Sequence, residues 1–279
     1  MIEEIKNHLP DELMRKPFTY IEPFVGSGAV LFWMLNRYPN MRKAVINDIN
    51  GDLINTYRVI KHEVDELIFW LKQWEKEYHA LENFPEKRKE YYYEKRALFN
   101  TRRSDAPKQA ALMIFLNRTC FNGLYRVNRK NEFNVPIGSY KKPQICNEPN
   151  LRAVSRALQK VEILQGDYTQ TLAYADDNTL FYFDPPYKPL SKTSSFNAYS
   201  HEVFDDAEQI RLKEFCELLD RKGHKWILSN SDVKGKNPED DFFDELYSRF
   251  NILRVWARRN INANPEKRGK LTELLITNI

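Results

Sequence analysis

The sequence predicts an open, mainly parallel α/β sheet of seven strands, interrupted by a mostly helical insert that bears a β-hairpin. Three observations predict it. Short apolar runs alternate with amphipathic helical stretches over residues 1–60 and again beyond residue 145. Between residues 61 and 144 that alternation gives way to helical spacing and a single hairpin pattern. Glycines and acids follow the ends of strands, as they do at the ligand-binding carboxyl edge of a parallel sheet. The expected division is a core of residues 1–60 and 145–279 and an insert of residues 61–144.

Residues 20–24 read as the first buried strand, followed by a turn with Gly26 and Gly28 and an apolar helical stretch over 29–35. A second strand at 44–46 ends in Asn47-Asp48, and a helix begins near Asp52, which makes a βαβ opening. Leu67, Trp70, Leu71 and Trp74, then Tyr92, Arg96 and Phe99, then residues 110–116 keep a helical period with no strand among them. Residues 124–136 set the polar turn Arg129-Lys130-Asn131-Glu132 between two short extended runs, the pattern of a hairpin with a basic tip. Strands resume at 161–164, 180–183 and 226–229, with helices over 207–221 and 242–249. Strands at 252–257 and 271–277 close the chain and are candidates for a terminal antiparallel pair.

Composition permits nucleic acid without demanding it: 43 Lys and Arg stand against 39 Asp and Glu, a net charge of +4. Positive charge concentrates at 87–89, 102–103, 126–130, 141–142 and 254–270, which suggests one basic face. Cys120, Cys146 and Cys216 are widely spaced, without a CxxC or a His partner at ligand spacing, so they are expected to be reduced and buried, and no metal is expected. No apolar run approaches the roughly 20 residues needed to span a bilayer. The acidic start over residues 1–6 lacks the form of a signal peptide, so a cytoplasmic protein is expected.

Chemistry concentrates at strand ends. In Glu22-Pro23-Phe24-Val25-Gly26-Ser27-Gly28 the glycines let backbone close on a ligand, or else form a tight turn and nothing more. Leu31 occupies the place of the third glycine of a dinucleotide fingerprint, which disfavours a pyrophosphate cofactor. Asp48 stands about 20 residues on, where an acid accepts ribose hydroxyl hydrogens; it suits S-adenosylmethionine, and it equally suits a helix cap. Gly166-Asp167-Tyr168 follows the third strand and either meets a cofactor adenine or is an ordinary strand-ending turn.

The most specific signal is Asp184-Pro185-Pro186-Tyr187, directly after the apolar strand 180–183. Two successive prolines remove two amide donors and hold the chain extended, so the ladder stops and carbonyls remain free to accept. The Asp184 carboxylate and the Pro185 carbonyl can take both hydrogens of an exocyclic amine such as N6 of adenine and localise its lone pair. Tyr187 offers a face on which an extruded base can stack. A methyl group would then move in one in-line displacement that requires no metal.

Together these segments resemble the Dam-like DNA adenine-N6 methyltransferases, the group that includes the Dam and DpnM-type enzymes, over nearly the whole chain. The resemblance implies a Rossmann-like methyltransferase sheet, S-adenosylmethionine as cofactor, and Asp184, Pro185, Pro186 and Tyr187 as the catalytic tetrad. It implies that Glu22, Pro23, Phe24, Gly26, Gly28, Asp48, Ile49, Asp167, Tyr168 and Asp184 hold the cofactor. Residues 227–230 and Arg268-Gly269-Lys270 with Glu273-Leu274-Leu275 resemble its later motifs.

Residues 117–128 and 133–138 are similar to that family's target-recognition hairpin and narrow the resemblance to the Dam-like group. By resemblance Arg126 reads a guanine edge, Phe121 wedges into the base stack, and Asn122, Leu124, Asn128 and Pro136 line the recognition surface. Arg118, Lys130 and Lys141 contact phosphate, and Ser139 stands where some relatives read an outer base pair with Arg. The implied partner is double-stranded DNA with a GATC-like site. A cognate restriction endonuclease is a possible functional partner, and a monomer is expected. The family begins with a Lys-Trp-x-Gly-Gly-Lys type segment, whereas Met1 leads directly into what corresponds to the helix after it. Two other readings stay open here: a catalytically silent DNA-binding homologue without that segment, and a methyltransferase acting on RNA or protein glutamine.

Overall fold

The computed structural model describes residues 2–10, 15–188, 204–258 and 270–279. Among them the strands are β1 (Phe18–Glu22), β2 (Met41–Asp48), β3 (Val161–Gln165), β4 (Thr179–Phe183), β5 (Lys225–Ser231), β6 (Asn251–Arg258) and β7 (Lys270–Thr277). They form one seven-stranded sheet in the order β3-β2-β1-β4-β5-β7-β6. β1 pairs parallel with β2 and with β4, and β4 pairs parallel with β5. The expected terminal antiparallel pair is present, and β7 also pairs antiparallel with β5, so β7 runs between β5 and the edge strand β6.

The helices are α1 (Ile2–Asn7), α2 (Ala29–Arg37), α3 (Gly51–His62), α4 (Val64–Ala80), α5 (Pro85–Thr101), α6 (Ala106–Thr119), α7 (Glu148–Leu158), α8 (Asp206–Arg221) and α9 (Phe242–Leu246). Their starts follow local chemistry. Asn50, Asp105, Asn147 and Asp205 each accept a first-turn N–H at the head of α3, α6, α7 and α8. Prolines in the first turn of α5, α6 and α7 have no N–H to waste there.

The chain divides into two compact units. The first comprises the described residues of Met1–Asn47, Asp167–Phe196 and Phe204–Ile279; the second includes Asp48–Gly166. In the first, every residue of β1 and β4 is buried, which explains why both strands are mostly apolar in sequence, with Thr19, Glu22 and Thr179 as buried polar exceptions. Phe181 is fully buried in β4, paired in register with Ile21 on one side and Trp226 on the other. In the second, Trp74, Tyr78 and Tyr91 converge on the ring of Phe115 at centroid distances of 6.1, 5.5 and 5.8 Å. The three cysteines are buried and free, as expected.

The hairpin of residues 124–136 has fewer ladder bonds than its pattern suggests: only the isolated antiparallel bridges Cys120–Ile137 and Val127–Phe133 form. The outer edge of its second run is covered by α5. Asn100 donates to the Phe133 carbonyl and accepts from its N–H, at 3.1 and 2.8 Å, while Tyr92 Oη and Arg96 Nη1 donate to the Val135 carbonyl. Tyr92, Arg96 and Asn100 lie four residues apart on one helix face, so α5 satisfies backbone groups that a regular strand partner would otherwise take. At the tip, Asn131 adopts φ 59° and the Asn128 amide closes the turn by accepting from the N–H groups of Lys130 and Glu132.

Candidate active site

β1, β2 and β4 run parallel, so their carboxyl ends share one edge of the sheet. The turn after β1 is held by Asn47, a buried residue at the end of β2. Asn47 Nδ2 donates to the Pro23 carbonyl at 3.0 Å, the Asn47 carbonyl accepts from Val25 N–H at 3.0 Å, and Gln170 Nε2 donates to Asn47 Oδ1 at 3.0 Å. Gly26 and Gly28 adopt φ 47° and 74°, in the left-handed region that side chains disfavour. A Cβ on Gly26 would meet no atom within 4 Å, and Gly28 starts α2 without a side-chain cap. The turn therefore presents bare backbone beside open space, which fits a ligand that lies directly on the main chain.

Glu22 ends β1 fully buried and accepts the Tyr20 hydroxyl at 2.7 Å. Burial pushes its carboxyl well above the ordinary range; the Tyr20 hydrogen bond opposes this and the charge of Asp184 adds to it. Asp167 behaves in the opposite way. Burial raises it, but hydrogen bonds from Thr169 and from Arg211, whose Nη2 lies at 2.6 Å, outweigh that and hold the carboxylate below its usual range. Tyr168 is buried, with Phe24 at 5.1 Å, Phe215 at 5.6 Å and the Arg211 guanidinium 4.8 Å over its ring. It packs on Phe24, the more exposed ring of the pair.

β4 ends at Phe183, and the tetrad follows immediately. Pro185 is buried, Pro186 is exposed and Tyr187 is half-buried. Solvent reaches Asp184, yet the protein around its carboxyl raises it to about 6; the Tyr187 hydroxyl opposes this through a hydrogen bond and Glu273 adds to it. A carboxylate poised near 6 is ionised at neutral pH, hence an acceptor for an amine, and becomes a weaker acceptor below that value. Among the described residues, no cluster of His, Cys, Asp or Glu is arranged to hold a metal ion, and no helix is long and apolar enough to cross a membrane.

A strand-ending carboxylate beside two prolines and an open glycine turn is the arrangement expected of amine methyl transfer, and comparison with known proteins decides the family. The D12 class N6 adenine-specific DNA methyltransferase family matches residues 1–261. The chain belongs to that family. It is 48% identical to the type II methyltransferase M.MjaIII of Methanocaldococcus jannaschii, over all of this chain and 94% of that protein. It is 40% identical to the type II methyltransferase M1.LlaDCHI of Lactococcus lactis, over 93% of this chain and 86% of the relative. It is 36% identical to the DNA adenine methylase of Escherichia coli K12, over 99% of this chain and 90% of the relative.

For this D12-class methyltransferase, the Asp184 carboxyl makes a first expectation. Single-turnover methyl transfer should rise with pH along a single ionisation whose midpoint lies near 6, as Asp184 loses its proton. Rapid-quench rates between pH 5 and 8 test this, and a flat profile would dissociate Asp184 from the chemical step.

In the second unit of the methyltransferase, Asp48 Oδ1 accepts the Asn50 N–H at 2.9 Å in the turn that leads into α3, and Ile49 is exposed. On the hairpin and the segments that flank it, Arg118, Phe121, Asn122, Leu124, Lys130, Pro136, Ser139 and Lys141 are exposed. Phe121 leaves half of its surface to solvent, 50%, and the adjacent Asn122 adopts φ 54°. Arg126 is half-buried and steadied by Nε donating to Asn134 Oδ1 at 2.7 Å. Asn128 spends its whole amide on the tip, since its Nδ2 also donates to Glu132. Arg268 and Gly269 of the late motif lie outside the described residues.

Sequence reasoning passed over three residues that shape the first unit's site. Arg211 holds Asp167, Gln209 donates to the Pro186 carbonyl of the tetrad, and Ser231 donates to the carbonyl of Lys188 just after it, while Asn47, singled out in sequence beside Asp48, holds the glycine turn. Gln209 left one signal: it falls on the apolar stripe of α8 with Leu212, Cys216 and Leu219, where a polar residue needs a buried partner.

Proposed function

We propose that this methyltransferase moves the methyl group of S-adenosylmethionine to N6 of an adenine flipped out of duplex DNA, within a GATC-like site. The observation that carries the reading is the Asp184 carboxyl at the end of β4, hydrogen-bonded by Tyr187 and followed by two residues that have no N–H. Asp184 and the Pro185 carbonyl accept the amine hydrogens and aim the nitrogen's lone pair; the single proton released on alkylation passes from the amine to solvent, which reaches Asp184. Tyr187 stacks on the base and compensates for the lost duplex stacking. When bound, S-adenosylmethionine supplies an electrophilic methyl on a sulfonium. Glu22, Pro23, Phe24, Gly26, Gly28 and Asp167 of the first unit are the residues assigned to hold it, with Tyr168 acting through Phe24. Asp48 and Ile49 of the second unit are assigned to its ribose side.

Residues 61–144 are assigned to target recognition and residues 1–60 with 145–279 to catalysis. Arg126 takes the guanine-reading role because Asn134 holds its guanidinium in one orientation, which favours a bidentate pairing. Asn122, Leu124, Pro136 and Ser139 form the remaining recognition surface, Phe121 is the wedge, and Arg118, Lys130 and Lys141 touch phosphate. Asn128 serves recognition by shaping the tip.

The deciding experiment is transfer of labelled methyl from S-adenosylmethionine to GATC-containing and GATC-free duplexes, with RNA and bulk protein as further acceptors. Label confined to adenine of the GATC duplex is the expected result; label in RNA or protein alone would overturn the assignment. Arg126→Ala is expected to lose about 1–3 kcal/mol of discrimination at one base pair, measured as the ratio of kcat/KM between cognate and singly altered duplexes. A uniform loss on all duplexes would make Arg126 a phosphate contact.

A further inference from the structure

The paired prolines create a problem of positioning. β4 pairs with β5 through Phe183, opposite Leu228, and then has no N–H at residues 185 and 186 with which to continue the ladder. β5 runs on through Ser229, Asn230 and Ser231 while pairing with β7 on its other side. Beyond Phe183, side chains take over from the ladder. Gln209 Nε2, from α8, donates to the Pro186 carbonyl at 3.1 Å. Asn230 Oδ1 accepts from Lys188 N–H at 3.2 Å, and Ser231 Oγ donates to the Lys188 carbonyl at 2.7 Å. Asn230 Nδ2 donates to Gln209 Oε1 at 3.1 Å, which joins α8 and β5 into one brace. The three side chains are 0%, 0% and 1% exposed.

Three backbone groups are gripped, and they lie immediately before and after Tyr187. A peptide gripped on both sides has little freedom in φ and ψ, and the direction of the side chain between them is settled with it. We infer that Gln209, Asn230 and Ser231 are positioning residues for methyl transfer, which hold Tyr187 against Asp184 in place of the strand ladder that the prolines remove. None of the three needs to touch the base. The brace pairs fully buried amides that would each cost stability if left unpaired.

The inference rests on the tetrad's assignment to catalysis, and the test separates the two. Single-turnover transfer to unmethylated genomic DNA is compared for Gln209→Leu, Ser231→Ala, Ser231→Thr, Tyr187→Phe and Asp184→Asn. Gln209→Leu and Ser231→Ala are expected to slow the chemical step about 10- to 100-fold with KM for S-adenosylmethionine unchanged, and Ser231→Thr, which keeps the hydroxyl, to recover most of the rate. Releasing Tyr187 removes the hydrogen bond that lowers Asp184, so the midpoint of the pH–rate profile should move upward in Gln209→Leu as in Tyr187→Phe. Glu22, Glu273, Tyr20 and Tyr182, the other titratable groups tied to Asp184, are untouched by these substitutions. Combining Gln209→Leu with Tyr187→Phe should add little further loss. Wild-type rates in Gln209→Leu and Ser231→Ala, or slowing without a moved midpoint, would overturn the inference while Asp184→Asn remains inactive. An active Asp184→Asn would instead sink the assignment of the tetrad. Should Gln209→Leu fail to fold, the alanine and threonine pair at Ser231 decides the matter alone.

Discussion

Asp184→Asn is expected to lower single-turnover methyl transfer by about a thousandfold while leaving duplex affinity largely intact. Asparagine keeps the size of the side chain but replaces one acceptor oxygen with an NH2 group, which meets the hydrogens of the target amine donor to donor. The charge that favours the developing positive nitrogen is also lost. Folding should not suffer. An acid whose pKa is raised in the folded state opposes folding as pH climbs from the unfolded value through about 6, and the penalty is complete above that. A neutral Asn removes the penalty, so the Tm at pH 7 should hold or rise. Rapid-quench transfer, duplex binding and thermal unfolding of the same preparation give the three readings. Equal loss of binding and rate would make Asp184 a binding residue instead of a group that acts in the transition state.

Phe181→Ala is expected to cost about 3–5 kcal/mol of stability. Phe181 is fully buried at the centre of β4, stacked on Phe183 at 5.9 Å and set edge-on to Phe215 at 6.4 Å. Its neighbours in the sheet, Ile21 and Trp226, belong to adjacent strands held by backbone ladders, so they cannot collapse into the space that the ring vacates. Whole-domain stabilities are typically 5–15 kcal/mol, so this one cavity removes a large share. Thermal unfolding should show a Tm lower by roughly 5–15 °C, and Phe181→Leu a much smaller fall. A small effect from alanine would mean that water or neighbouring side chains fill the site.

The seven strands are legible in sequence because each centres on a short apolar or β-branched run bounded by polar or turn-forming residues. Only their ends differ. β2 starts at Met41, three residues before its fully buried part, because the backbone ladder to β1 persists where side chains reach solvent. α9 stops at Leu246, with Tyr247 already out of helical geometry and buried as a core ring. The tetrad proposed as catalytic is legible because a double proline after a strand has few structural uses. The hairpin is legible as a pattern but not as a structure, since its periodicity says nothing of the α5 side chains that bond its outer-edge backbone groups.

Tyr168 shows how far such reading reaches. Its place after a strand suggests a ring beside a ligand, and in the fold it lies under Phe24, half-covered by Arg211. Local sequence sets where a turn falls; which of two aromatic rings faces outward depends on packing against Phe215, 47 residues further along. By itself the sequence determined the strand and helix order, the family resemblance and the choice of Asp184 as the carboxylate proposed to react, because these follow from local periodicity and backbone chemistry. The tertiary structure alone decided the pKa of Asp184, the order that places β7 between β5 and β6, and the grip of Gln209, Asn230 and Ser231 on the chain around Tyr187. Each of these depends on groups distant in sequence, and neither desolvation nor a hydrogen bond exists until folding brings such groups together.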